Sequence, residues 1–494
     1  GKFAEKTMSD SFYRVDSDFK AYSVLDDDKY ARMDTSELME KVIDEALDCD
    51  FGAVLNWAVE LRKNYFMRLN PQVIMVRASI HPKKDEYVKN NPGEFDRINQ
   101  IVMSRADEPI TQLTYFLYKN KSHKNLPNLL KRSWAKKISS LSPYAFNKYK
   151  NAGLGMKDII CICHPKSDVV DEYMKTGKVA VEEEDLTWEI LKSNGKSWSE
   201  ILNTIKLNHM ALLRNLRGIF TEIEDKQVCK KVLEELKAGV KEGKQFPFRY
   251  WSALKAVKAD NDINHKTLIC DALEECIDIA CENMPTLKGK TMCLTDNSGS
   301  AWHTFNSEYG TTTIAEIDNL SSVIVARNSE EGYVGKFGNK LIEYPISKRN
   351  GVLIQNETVS QNKGKDVGLD TENGVWLFLD RAIKNKEHWD NIFVFSDMQA
   401  GHGGLYGLDS KEYADYTCRV CYIDVNKLIA KYRSEVNPKV NVFMVQTAGY
   451  TNILVPEYGY RCNLLYGWTG KELIFADAMI KFWDDKDSNK NTNK

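Results

Sequence analysis

Three stretches of this 494-residue chain place hard oxygen ligands beside apolar runs. The first, TMCLTDNSGS (291–300), carries Asp296, Ser298 and Ser300 at alternate positions, a D-x-S-x-S spelling at the end of a predicted buried strand. One carboxylate and two hydroxyls on a tight turn suit Mg²⁺, Ca²⁺ or Mn²⁺ better than a soft metal, with Mg²⁺ first. Gly299 between the serines lets the backbone turn sharply. Taken alone, the motif reads equally well as a solvated turn. The second stretch is NIFVFSD, where Asp397 follows the β-branched and aromatic run Ile392–Phe395, the pattern of a strand buried on both faces. Acids at the carboxyl ends of such strands sit where open α/β sheets bind ligands. In the third, Thr371 lies in a glycine-containing loop just before the helical pattern Val375, Phe378, Leu379, Ile383. Its hydroxyl serves either as a ligand or as a helix N-cap.

A second chemistry is cationic. Residues 51–166 carry 20 basic and 8 acidic side chains, net +12, inside a chain of net charge −2. That block is an electrostatic footprint for a polyanion, against the plainer reading of a lysine-rich solvated face. Within it, Lys148 and Lys150 flank Tyr149, putting two point charges around a ring able to stack on an unpaired base. His164 precedes Pro165; it either contacts RNA or caps its own helix. Lys131, Arg132, Lys136 and Lys137 cluster around Trp134, which reads as core rather than a stacking platform.

These groups need elements to hold them. Before about residue 285 helical patterns dominate, as in SELMEKVIDEALD and QVCKKVLEELKAGVKEG, broken by prolines a helix or two apart. That arrangement predicts repeated helix pairs. After residue 290 the runs MCLTD, SSVIVAR, KLIEYPI, NIFVFSD, VNVFMVQ and CNLLYGW read as strands alternating with helices, which predicts a doubly wound, mainly parallel sheet. The length calls for two or three domains. No apolar run approaches a membrane span. The polar N-terminus lacks a signal-peptide core, and eleven scattered cysteines do not make a complete disulfide framework, so the expected compartment is the reducing cytoplasm.

The acid, serine, threonine and second acid, in this order, resemble the metal-ion-dependent adhesion site of von Willebrand factor A domains. That resemblance implies that Asp296, Ser298, Ser300, Thr371 and Asp397 ring one divalent cation. Six further segments occur in family order: MRLNPQVIMVRA, RADEPITQLTYFL, NLPNLLKRSWAKKI, KYKNAGLGMKDIICICHPK, HMALLRNLRGI and QFPFRYWSAL. With the metal motif they make the chain similar, over residues 10–475, to the TROVE-domain proteins, the family of the Ro autoantigen, and closest to its bacterial relatives. The resemblance implies a ring-shaped α-helical HEAT-like repeat domain (1–288), closed by a Rossmann-like von Willebrand factor A domain (289–480), with a flexible tail (481–494). It further implies a monomeric RNA-binding scaffold. Its outer surface would take Y-like noncoding RNA, through Lys148 and His164 by family position. Its central hole would take single-stranded 3′ ends of misfolded or structured RNA, for quality control or delivery to an exonuclease such as polynucleotide phosphorylase.

Arg214, Arg217 and Arg249 fall in matching segments, where they either line that hole or, for Arg214 and Arg249, brace helix packing. One departure is that Asn151-Ala152 stands where many relatives have an arginine, which removes a forked phosphate donor. Catalysis is not expected: no paired-carboxylate and histidine constellation accompanies the motif, although His303 and His402 lie near it in sequence. The competing reading is a metal-dependent protein-adhesion module with the helices as a frame.

Overall fold

The computed structural model describes residues 35–120, 124–148, 154–182, 186–307, 310–370, 373–397, 417–418, 422–423, 425–447, 460–466 and 470–492. These fall into two units, 35–207 and 208–492. No helix among the described residues is long and apolar enough to cross a membrane.

The described part of the first unit is built from helices, running from Thr35–Cys49 to Trp198–Thr204. Polar caps set their starts: Asp50 accepts from the Ala53 amide at 2.9 Å, and Ser197 with Glu200 forms a reciprocal capping box. Leu55, Met75, Ile98, Leu113 and Trp134 lie in one core. A buried polar network crosses it. Gln112 Nε2 donates to Gln72 Oε1 and to Asn99 Oδ1, both at 2.7 Å. Trp134 Nε1 donates to Gln112 Oε1 at 2.7 Å, and Asn99 Nδ2 donates to Ser133 Oγ at 3.1 Å. Each bond nets about 0.5–1.5 kcal/mol, but a lost partner exposes the other group's full desolvation cost. The network therefore fixes how these helices meet, and Trp134 is a core residue, as the sequence indicates.

The second unit starts with four helices, His209–Glu222, Lys226–Gly243, Pro247–Ala259 and Lys266–Glu282. Gly239 and Gly243, one turn apart, form a notch for His209. A Cβ at either would come within 2.6 or 2.5 Å of that ring, whose Nε2 lies 2.7 Å from the Tyr250 hydroxyl. These helices meet the helices Ile314–Arg327 and Val352–Ser360 that follow: Lys255 Nζ lies 3.2 Å from Glu316 Oε2, and Asp278 Oδ1 accepts from the Val352 amide at 3.0 Å. The change from helices to strands falls between Glu282 and Leu287, while the four helices group with the sheet as one unit.

The strands are β1 (Leu287–Asp296), β2 (Thr304–Ser307), β3 (Gly310–Thr313), β4 (Ser329–Phe337), β5 (Leu341–Ile346), β6 (Asn391–Ser396), β7 (Thr417–Cys418), β8 (Tyr422–Ile423), β9 (Asn441–Gln446) and β10 (Cys462–Tyr466). Six form a sheet in the order β10-β9-β6-β1-β4-β5, parallel except that β5 runs antiparallel to β4. Pro345 is accommodated because β5 is an edge strand. Met292, Leu294, Ile392, Val394, Val442 and Met444 face the helices Gly374–Lys384 and Val425–Glu435. The alternate residue Thr295 points the other way, donating to Asn319 Oδ1 at 2.8 Å on the helix Ile314–Arg327. The sheet is thus covered on both faces, which explains its continuous apolar strands.

One strand expectation is overturned. SSVIVAR is the C-terminal half of the helix Ile314–Arg327, and the strand is the following SEEGYVGKF. β-Branched residues favour strands, but a Thr313–Glu316 capping box starts a helix and burial on nearly every side sustains it. The charge-rich stretch 481–492, expected as a loose tail, continues the helix Glu472–Thr492. Arg461, fully buried, holds it through Asp484 at 2.5 Å and Asp487 at 2.8 Å.

Candidate functional site

The chain crosses from one side of β1 to the other after β5, so β1 and β6 flank the topological switch point of the sheet. In such sheets the crevice beyond the carboxyl ends of the flanking strands is the binding position. Asp296 and Asp397 stand there. The register pairs Thr295 with Phe395, so Asp296 and Ser396 leave the sheet side by side. Ser396 Oγ donates to Asp296 Oδ2 at 2.9 Å, and the Ser298 amide donates to Asp296 Oδ1 at 2.8 Å. Asp296, Ser298 and Asp397 are all buried. The hydroxyls of Ser298 and Ser300 lie 3.1 Å apart, so the turn aims both the same way. Gly299 meets the neighbouring loop closely: its amide donates to Leu369 O at 2.9 Å. Thr371, two residues beyond Leu369, lies outside the described residues.

Electrostatics marks the same spot. Burial, followed by repulsion from Asp397, pushes the Asp296 carboxyl up to about 7, with hydrogen bonds from Ser298 and Ser396 opposing. A group so poised is relieved by a proton or by a cation. The donors are all hard oxygens, a set that fits Mg²⁺. No three His, Cys, Asp or Glu side chains among the described residues gather closely enough to hold an ion, so a cation here must also draw on the serine hydroxyls and water. His303 is exposed, and His402 lies outside the described residues.

The sequence reading passed over two contributors, Ser396 and Asp318. Asp318 is fully buried on the helix Ile314–Arg327, and Asp296 and Asp397 act on it electrostatically. A signal was present: Asp318, Ser321 and Ser322 share one face of the helix at i, i+3 and i+4, and all three are buried.

The basic candidates separate into two groups. Arg214 and Arg217, on His209–Glu222, and Arg249, on Pro247–Ala259, line one cleft of about 510 Å³ with Met210 and Ser252. Arg214 and Arg217 are exposed, and Arg217 Nη1 reaches only to 3.9 Å from Asp260 Oδ2. In the first unit, Lys131, Arg132 and Lys136 lie on Asn128–Ser139. Arg132 and Lys136 are both exposed, and Lys136 Nζ sits 2.7 Å from Asp96 Oδ2. His164 is exposed in a left-handed conformation at the C-cap of Met156–Cys163, its amide bonded to Ile160 O. The amide of Lys166 donates to Ser139 Oγ at 3.1 Å, tying the His164 turn to the end of the Lys131–Lys136 helix. Lys148 ends the helix Pro143–Lys148, and Lys150 lies outside the described residues.

The family model of the TROVE domain matches residues 172–270, a span that contains the whole arginine cleft. No curated protein matches the chain in sequence. Among solved structures, the Ro (RSR) protein of Deinococcus radiodurans matches with a TM-score of 0.66 at 13% identity, covering 97% of this chain and 100% of its own. That identity speaks for the fold alone, and the fold agrees in both parts, helices first and a mixed, mainly parallel sheet after them. The chain thus contains a segment, residues 172–270, that matches the TROVE domain, within a fold similar along nearly its whole length to that of the Ro (RSR) protein.

Proposed function

We propose that this protein is a non-enzymatic RNA-binding scaffold whose second unit takes a single-stranded RNA segment along the cleft of Arg214, Arg217 and Arg249. The observation that carries the reading is their convergence on one cleft inside the region matched as TROVE. Guanidinium forks pair with phosphates in two-point fashion, and Arg planes stack on bases, so three of them suit an unpaired strand better than a duplex. The exposed polar and basic side chains of the first unit, with Arg132 and His164 foremost, offer a separate surface for a structured RNA of the Y type. On this reading the protein works in the cytoplasm as a monomer, holding 3′ ends of misfolded or structured RNA for sorting or for hand-over to an exonuclease such as polynucleotide phosphorylase. Asp296, Ser298, Ser300, Thr371 and Asp397 hold a divalent cation, Mg²⁺ foremost.

The test is a fluorescence-anisotropy titration with a duplex bearing a single-stranded 3′ tail, against the blunt duplex. Tighter binding to the tailed RNA, lost in Arg214→Ala/Arg217→Ala/Arg249→Ala, supports the reading. Equal binding of both RNAs by the variant and the parent overturns the role of the cleft. The adhesion alternative draws on the buried acid and serine turn. It requires a protein partner that binds only with divalent cation and is lost in Asp296→Ala.

A further inference from the structure

Asp318 stands in a position that a fold of helix and sheet does not require. Its side chain is fully buried, and among the described residues neither carboxylate oxygen has a hydrogen-bond partner. An unpaired buried acid is costly whether charged or neutral. Its place is fixed by its neighbour. Asn319 Oδ1 accepts from Thr295 Oγ1 and from Asn297 Nδ2, both at 2.8 Å, and so clasps the residues on either side of Asp296.

Thr447 bounds the other side. Its amide donates to Ser396 O at 3.1 Å, beside Asp397, and its hydroxyl is buried and likewise without a hydrogen-bond partner among the described residues. The groups acting on Asp318 are two acids and that hydroxyl. Burial and the two acids push its carboxyl well up, and Thr447 approaches closely enough to oppose them without completing a bond of normal geometry.

We propose that Asp318 is a further carboxylate of the divalent-cation site, holding with the Thr447 hydroxyl a water molecule that is bound to the ion. The inference rests on the cation reading of Asp296, Ser298, Ser300 and Asp397. Asp318 is assigned to water rather than to the ion because the acids do not gather closely enough to ligate one ion together. A water with one lone pair on the cation has two hydrogens to give, and unpaired buried oxygens are the acceptors the site offers. Mg²⁺ suits this arrangement because it dehydrates reluctantly and keeps waters when bound. The carboxylate in turn orients that water, as outer partners do in other metal sites.

The experiment measures Mg²⁺ binding to the full chain by isothermal titration calorimetry, together with melting temperature with and without Mg²⁺. The variants are Asp318→Asn, Thr447→Val and, as control, Asp296→Ala. Asp318→Asn should weaken Mg²⁺ binding by about 10- to 100-fold, with a metal-free melting temperature no lower than that of the parent. Thr447→Val should weaken Mg²⁺ binding in the same direction and carries the test if Asp318→Asn does not fold. Parental Mg²⁺ affinity in both variants overturns the inference and leaves the cation site standing. Absence of Mg²⁺ heat and of any Mg²⁺-dependent melting shift in the parent chain overturns the cation site itself, and this inference with it.

Discussion

His209 shows how much one side chain can depend on what its neighbours lack. Its ring fills the notch left by Gly239 and Gly243, and burial holds its pKa below the ordinary 6.5. Gly239→Ala would drive a methyl into a ring already anchored on Tyr250. We expect a loss of about 1–3 kcal/mol, read by urea denaturation. The folded state takes up the histidine proton less readily than the unfolded state does. The contribution of His209 to stability is therefore full above about 6.5 and is lost as pH falls through the depressed folded value. Unfolding of the parent from pH 7.5 to 5 should show that slope, and His209→Gln should flatten it. At this scale the sequence was legible where chemistry and position coincide. Asp296 and Asp397 close apolar runs, so strand periodicity alone places them at a sheet edge. Asp318 was missed because an acid inside a helix ordinarily faces water. The pairing of Lys136 with Asp96 was not legible, because the two lie 40 residues apart and leave no local trace.

Among the elements, the segment from Gln361 to Asp370 bears on the proposed cation site, because Leu369 O lies against Gly299. It is pinned by Lys336, whose wholly buried side chain reaches Gln361 O at 2.6 Å and Asp366 Oδ1 at 2.8 Å. Gly364, at φ +78°, leaves no room for a side chain, because a Cβ there would lie 2.2 Å from Asn297 O. Removing one member of a buried pair strands the other charge. Asp366→Asn should therefore cost about 3–5 kcal/mol, and Lys336→Met less, since Asp366 keeps some access to water. Denaturant unfolding of the two variants separates them; equal costs would show that solvent reaches the lysine. The helix Ile314–Arg327 gives the complementary lesson about legibility. Its run Ser321–Arg327 has strand composition, and only the capping box of Thr313 and Glu316, at the far end of the helix, declares what it is.

Across the whole molecule, cationic chemistry is spread over both units: the +12 block in the first and the arginine cleft in the second. If phosphate contacts dominate RNA affinity, log K should fall linearly with log salt concentration. Each cleft arginine that meets a phosphate should contribute roughly 0.7 to the slope for a single strand. Anisotropy titrations at several salt concentrations check this, and an unchanged slope in the triple arginine variant would assign the contacts elsewhere. The sequence foretold helices followed by a doubly wound sheet because periodicity changes from 3.6 to apolar runs near residue 287. It did not foretell that His209–Glu222 and the next three helices group with the sheet, because that depends on contacts such as Lys255–Glu316, 61 residues apart.

The central place of β1 has a consequence for synthesis. Its neighbour β4 follows within about 40 residues, but β6 brings Ser396 to Asp296 from 100 residues away. At the usual rate of translation, that interval lasts about 5–20 s. Throughout it, one edge of an apolar strand and a carboxylate destined for burial stay open on the nascent chain. A ribosome pausing between residues 340 and 390 would prolong that exposure, and the newborn protein would then be at its most prone to pair with the wrong strand.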